Sequence, residues 1–207
     1  MDYYRAYIFA MVVGYLFGSI PFALIIGKVF YKTDIREHGS GNLGATNAGR
    51  VLGKTAGITV TLLDVFKATI AMLFFYLFKQ DALTILLAGL FATIGHAFPV
   101  FADFKGGKSV ATWFGFNLGI CSFILHNWWP FVIPIVIFFG VLYLSKYVSL
   151  SSMTATVAGA LISFLFTYNG VYYTSLALLV VALFIVYRHR ANIKRIQEKT
   201  ESKISWM

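Results

Sequence analysis

Long apolar runs alternate with short polar stretches along this chain. The apolar runs are Tyr7–Phe30, Ala56–Phe78, Ala82–Phe101, Val110–Leu125, Pro130–Leu144, Met153–Thr167 and Thr174–Tyr187. A helix needs roughly 20 mainly apolar residues to cross a hydrocarbon core of about 30 Å. Most of these runs approach that length, so the pattern predicts an all-α, polytopic membrane protein of about seven transmembrane helices. Pro21, after Gly18-Ser19-Ile20, is expected to kink the first span. Polar residues fill Tyr31–Thr55, a stretch with few large apolar side chains, read as a loop with one helical turn. Ser145–Ser152 and the tyrosine-rich Tyr168–Tyr173 read as turns, and the tail begins at Arg188. No internal repeat is visible.

Composition strengthens this reading. Of the 207 residues, 59% are apolar and 12% charged, whereas soluble domains carry about 25% charged residues. Too few charges are present to cover a water-facing surface. The single cysteine, Cys121, lies in an apolar run. It cannot form an internal disulfide, and the histidines lack metal-ligand spacing, so neither a metal nor another cofactor is expected. The first apolar run is long and has no small-residue cleavage site, so no cleavable signal peptide is expected.

The net charge of +9 would suggest nucleic acid in a soluble protein. In a membrane protein its distribution matters more. With seven spans, Lys32, Arg36, Arg50, Lys54, Lys105, Lys108, Lys146 and the basic tail fall on one side, against Arg5 and Lys79 on the other. Cytoplasmic loops carry the lysine and arginine excess. The tail is therefore placed in the cytoplasm and the N-terminus outside, with no nucleic-acid partner implied. The same parity gathers three polar segments, 31–55, 95–112 and 188–207, at the cytoplasmic face.

Those segments hold the candidate chemistry. In Gly95–Thr112, Gly106 and Gly107 permit a bend that turns successive N–H groups into one concavity. Lys105 and Lys108 flank them, and a helix N-terminus is expected at Ser109–Thr112. All of this favours a phosphate, although a plain cytoplasmic turn carries lysines too. Gly107-Lys108-Ser109 resembles the end of a nucleotide-binding loop, but Ala102 stands where that pattern needs glycine and no strand precedes it. His96 and Asp103 are separated by six residues, not the four of one acyltransferase group. In 40–50, Gly41, Gly44 and Gly49 allow close backbone approach. Ser40, Asn42, Thr46 and Asn47 supply neutral hydrogen-bonding groups, and Arg50 a planar fork suited to phosphate. In the tail, His189 and Asn192 share a helical face if the last span continues. Asp64 and Lys67, three residues apart inside the second span, read as a buried structural pair.

Taken together, Ser-Gly-Asn-x-Gly-Ala-Thr-Asn-x-x-Arg at 40–50, Gly-His-x-Phe-Pro-x-Phe followed by Phe-Lys-Gly-Gly-Lys-x-Val-Ala-Thr at 95–112, and Arg-His-x-x-Asn-Ile-x-Arg at 188–195 resemble the bacterial acyl-phosphate:glycerol-3-phosphate acyltransferase family. The resemblance runs over nearly the whole chain. It implies a single seven-helix membrane acyltransferase domain in the bacterial inner membrane, with its motifs facing the cytoplasm. The implied reaction moves a fatty acyl group from acyl phosphate to the 1-hydroxyl of glycerol 3-phosphate, releasing lysophosphatidate and inorganic phosphate. Membrane lipid and the enzyme that makes acyl phosphate are the further partners it implies. Carried over by position, Ser40, Arg50, His189 and Asn192 match residues tied to activity. Lys105, Gly106, Gly107 and Lys108 match a phosphate-binding motif. Catalytic roles are thus expected of Ser40, Arg50, Lys108, His189 and Asn192. Substrate contacts are expected of Gly41, Asn42, Gly44, Thr46, Asn47, His96, Lys105, Gly106, Gly107 and Ser109. The chain departs from the family pattern at Ala68 and Lys199, where glycines are usual.

Acyl phosphate is already activated, so no protein nucleophile is required. His189 as general base, or a phosphate oxygen of the donor, could take the hydroxyl proton. A transporter for phosphate or a phosphorylated metabolite is the competing class. Transporters usually bind near mid-membrane between related repeats, and here the polar groups collect at one face.

Overall fold

The computed structural model describes residues 3–167 and 170–204. Every regular element among them is helical. The chain divides into two compact units, Met1–Gly119 and Ile120–Met207.

The first unit contains α1 (Tyr3–Gly18), α2 (Phe22–Phe30), α3 (Ala45–Leu52), α4 (Lys54–Leu77), α5 (Ala82–Ala97) and most of α6 (Val110–Ile120). α1 and α2 form one apolar stretch, Tyr3–Phe30, broken ahead of Pro21 as expected. With α4 and the run Ala82–Ala102 it makes three helices long and apolar enough to cross a bilayer. α4 has 24 residues, or about 36 Å at 1.5 Å per residue. Its two sides are inverted relative to a soluble helix. Ile58, Leu62, Phe66 and Ile70, spaced by four, are exposed, while Asp64 and Lys67 are buried. An apolar stripe facing outward with a charged pair inside suits a hydrocarbon solvent.

α1 and α5 pack at backbone distance. A Cβ at Gly14 would overlap the carbonyl of Ala88, and one at Gly18 that of Ala92. Apolar burial gives no net drive between helices in lipid, so small residues that admit close contact take over. α5 starts on Asp81, whose carboxylate accepts from the amides of Leu83 and Thr84 at 3.0 and 3.1 Å. Such a cap contributes about 1 kcal/mol.

The polar segment 31–55 is more ordered than expected. It holds a 3-10 turn at Ile35–Glu37 and the two-turn helix α3. Lacking a core of its own, it borrows one. Ile35, Leu43 and Ala48 are buried with Ala23, Leu24 and Ile26 of α2, Ala56 and Val60 of α4, and Ala102. Long-range packing, which local composition does not report, stabilises the helix.

The second unit contains a π-helical turn at Cys121–Leu125, then α7 (Trp129–Ser145), α8 (Val148–Ser163), α9 (Tyr172–Arg188) and α10 (Arg190–Gln197). α8 begins five residues before the expected run at Met153. Its first turns are polar but satisfied: the hydroxyls of Ser151 and Ser152 donate to the carbonyls of Tyr147 and Val148 at 2.8 and 2.7 Å. Hydroxyls bonded back along the helix let Ser-rich sequence enter an apolar phase. α9 and α10 meet at a 54° bend. Tyr168 and Asn169 of the expected turn lie outside the described residues.

Candidate functional site

The two glycine-bearing segments of the first unit are joined directly. The Arg36 guanidinium donates to Asp103 at 3.2 Å and to both carboxylate oxygens of Asp34. Arg36 also holds the Asp34 carboxyl well below the usual carboxylate range. Lys28, in the last turn of α2, completes the set at 3.2 Å from Asp34. A strap of alternating charge thus fastens the 30s loop to the turn that carries Lys105 and Lys108. Arg36 and Asp34 were not singled out in the sequence, where they look like ordinary solvated loop charges.

The glycine pair works differently from the expectation. The amide of Gly106 donates to the Ala97 carbonyl at 3.2 Å, and that of Gly107 to the His96 carbonyl at 3.1 Å. Both amides are spent closing the C-terminus of α5 and do not form an open anion cradle. The sharp bends are made elsewhere. Asp103, Phe104 and Ser109 have φ of 53°, 57° and 62°, a left-handed conformation that bulky residues adopt rarely and that clusters at functional sites. Gly106 and Gly107 serve close approach. A Cβ at Gly106 would strike the His96 carbonyl, and one at Gly107 would strike the His96 imidazole. Lys105 is left exposed and Lys108 half-buried on either side of this packed pair.

Below the pair lies a buried polar group. Lys67 is 2.8 Å from Asp64 Oδ1 and 2.8 Å from His96 Nδ1, and its ammonium donates to the Ile20 carbonyl at 3.2 Å. The Asp64–Lys67 pair is buried as expected; that His96, 29 positions further on, joins it was not visible in the sequence. Asp64, Lys67, His96 and Gly106 line a narrow cleft that opens between the α1–α2 break and the glycine turn.

The expected substrate residues of 40–50 divide. Ser40, Gly41, Thr46 and Arg50 are exposed, and Asn42 and Gly44 half-buried. Asn47 is buried and occupied: its Oδ1 accepts from the Ser40 amide at 2.9 Å, and its Nδ2 donates to the carbonyls of Ile35 and His38 at 3.1 and 3.2 Å. It clamps the loop that presents Ser40. Ser109 is likewise buried, with its hydroxyl donating to the Thr93 carbonyl at 2.9 Å. α6 does begin beside it, at Val110.

His189 and Asn192 belong to the second unit. Both are buried. His189 Nδ1 lies 2.8 Å from the Ile185 carbonyl. A carbonyl only accepts, so Nδ1 carries a proton and donates it to this carbonyl. Asn192 donates to Glu201 at 2.6 Å. Glu201 also accepts from Ser149 at 2.7 Å and from Arg195 at 2.7 Å. Burial pushes this carboxyl up, but the three hydrogen bonds outweigh it and its pKa is lowered. Glu201 is thus the hub that folds the tail back on α8, an arrangement not apparent in the sequence because Ser149 and Glu201 are 52 positions apart.

Helices with outward-facing apolar stripes and an internal ion pair define an integral membrane protein. Comparison with known proteins narrows that class. Residues 8–199 match the family described as glycerol-3-phosphate acyltransferase. A glycerol-3-phosphate acyltransferase of Listeria monocytogenes serovar 1/2a is 50% identical over 93% of this chain and 94% of its own. One from Bacillus subtilis strain 168 is 47% identical over 95% of this chain and 97% of its own. Among solved structures, the glycerol 3-phosphate form of PlsY, an integral membrane glycerol 3-phosphate acyltransferase, superposes with a TM-score of 0.84. It is 36% identical and covers 96% of this chain and 95% of that one. The lysophosphatidic acid form of PlsY gives 0.80 at 35% identity, with the same coverage. The chain belongs to the glycerol-3-phosphate acyltransferase family.

Proposed function

We propose that this chain transfers a fatty acyl group from acyl phosphate to the 1-hydroxyl of glycerol 3-phosphate, giving lysophosphatidate and inorganic phosphate. The reading places it in the bacterial inner membrane, at an early step of phospholipid synthesis. Seven spans are counted by taking α1–α2 as one, then α4, α5, α6 with its π-helical turn, α7, α8 and α9. The N-terminus is then outside, and the motif segments face the cytoplasm. One observation carries the reading: family membership spans residues 8–199, and so includes the motifs at 40–50, 95–112 and 188–195.

The chemistry is mainly electrostatic and positional. Both substrates carry phosphate, so bringing them together is opposed by charge repulsion. Arg50, Lys105 and Lys108 offset it. Ser40, Asn42 and Thr46 offer neutral contacts to a polyhydroxylated substrate. Acyl phosphate is a mixed anhydride with a good leaving group, and the hydroxyl oxygen attacks the acyl carbon as the carbon–oxygen bond to phosphate breaks. The hydroxyl proton passes to His189 Nε2 or to a phosphate oxygen of the donor.

The test is direct. Purified protein in detergent, given acyl phosphate and glycerol 3-phosphate, is expected to release lysophosphatidate and phosphate in equal amounts. No product under these conditions would overturn the proposal. His189→Gln separates the two proton routes: loss of single-turnover acylation supports the histidine, and appreciable residual turnover supports the donor phosphate.

A further inference from the structure

Asp64, Lys67 and His96 are 2%, 3% and 6% exposed, and buried charge on a membrane helix is costly enough to need a reason. The Lys67 ammonium has three protons and no lone pair. Three acceptors surround it: Asp64 Oδ1 at 2.8 Å, the Ile20 carbonyl at 3.2 Å and His96 Nδ1 at 2.8 Å. One ammonium proton for each acceptor would leave the lone pair on His96 Nδ1 and the ring proton on Nε2. An imidazolium would set a second donor against the ammonium. Asp64 Oδ1 is itself 3.5 Å from Nδ1, so without Lys67 the carboxylate would draw the ring proton to Nδ1.

The ring so held supports the phosphate-handling turn. Its Nε2, Cε1 and Cδ2 are the atoms that a Cβ at Gly107 would meet, and the backbone carbonyl of the same histidine receives the Gly107 amide. We propose that Lys67 is a positioning residue: it selects the neutral, Nε2-protonated form of His96, and the ring in that form seats Gly107 and so sets the Lys105–Lys108 turn for a substrate phosphate. The kinetic part of this rests on the acyltransferase reading above.

Two measurements test it. In protein labelled with 15N-histidine, with His96→Asn to assign the signal, wild-type His96 is expected to be protonated at Nε2 only. In Lys67→Met the proton is expected to move to Nδ1. The KM for at least one phosphate substrate is expected to rise about tenfold, equivalent to about 1.4 kcal/mol, with kcat less affected. Lys67→Met strands the Asp64 charge, which disfavours folding. The double variant Lys67→Met/Asp64→Asn removes that charge together with the carboxylate that draws the ring proton, so in monodisperse protein its KM is expected to stay near the wild-type value. A wild-type His96 protonated at Nδ1, or a raised KM in the folded double variant with His96 still protonated at Nε2, overturns the proposal. The spectroscopic arm needs no turnover, so an inactive wild type would count against the acyltransferase reading and leave the tautomer to be decided on its own.

Discussion

Gly107 shows how one missing carbon atom organises its surroundings. His96 occupies the volume that any side chain there would need. Gly107→Ala must displace the ring or the turn, and overpacking of this kind costs about 1–3 kcal/mol. We expect the variant to stay folded with a lower melting temperature and to lose most turnover, checked by thermal shift and product assay on the same preparation. Arg50 differs in kind, being exposed and without a structural partner to lose in the 40–50 loop. Arg50→Ala should reduce turnover about 100-fold, the scale of removing one charge-stabilising donor, and leave thermal stability unchanged; wild-type kinetics would remove Arg50 from the site. Asn47 should behave in the opposite way. Its amide makes three hydrogen bonds within the loop, and stranding buried partners costs about 1–3 kcal/mol each. Asn47→Ala is expected to loosen residues 35–41, seen as faster amide exchange there, and to reduce activity only through Ser40. All three types were legible as motif members. Which of them face outward and which clamp the loop was not, because residue type and spacing are the same for both tasks.

At the level of elements, the tail depends on an ionised carboxylate. Glu201 has a folded pKa below its ordinary value, so it stabilises the fold above the ordinary glutamate range, and that contribution is lost as pH falls through the folded value. Protease cleavage within 190–204 is therefore expected to be slow at neutral pH and to accelerate in acid. Glu201→Gln should be cleaved quickly at neutral pH and show little further change in acid. A wild-type tail equally resistant across that range would show that Glu201 does not hold it. Helix boundaries illustrate the limits of reading a pattern. α4 was placed within two residues at both ends, and α5 starts at the expected Ala82 after Asp81 but ends four residues before Phe101. α8 was placed late and α3 was taken for a loop. In each, polar sequence is helical because its hydroxyls bond back along the helix or because its buried face is filled by α2 and α4.

For the whole molecule, the membrane topology is the testable quantity. With Cys121→Ser as background, single cysteines at Glu37, Lys105 and Lys199 should react with an impermeant thiol reagent only from the cytoplasmic side. One at Gln80 should react only from outside. Labelling of Glu37→Cys and Lys199→Cys from opposite sides would end the topology and, with it, the assignment of the motif segments to one compartment.

The order of apolar runs and the three motif segments are properties of the chain read linearly. They were enough to indicate a helical membrane protein and its family, because bilayer thickness acts on composition directly. The use of each polar atom depended on folding. The glycine amides were spent on α5, His96 was brought to Lys67 and Asp64, and Glu201 was brought to Ser149 and Asn192. A hydrogen bond needs a partner at about 3 Å, and only packing brings residues from distant positions that close.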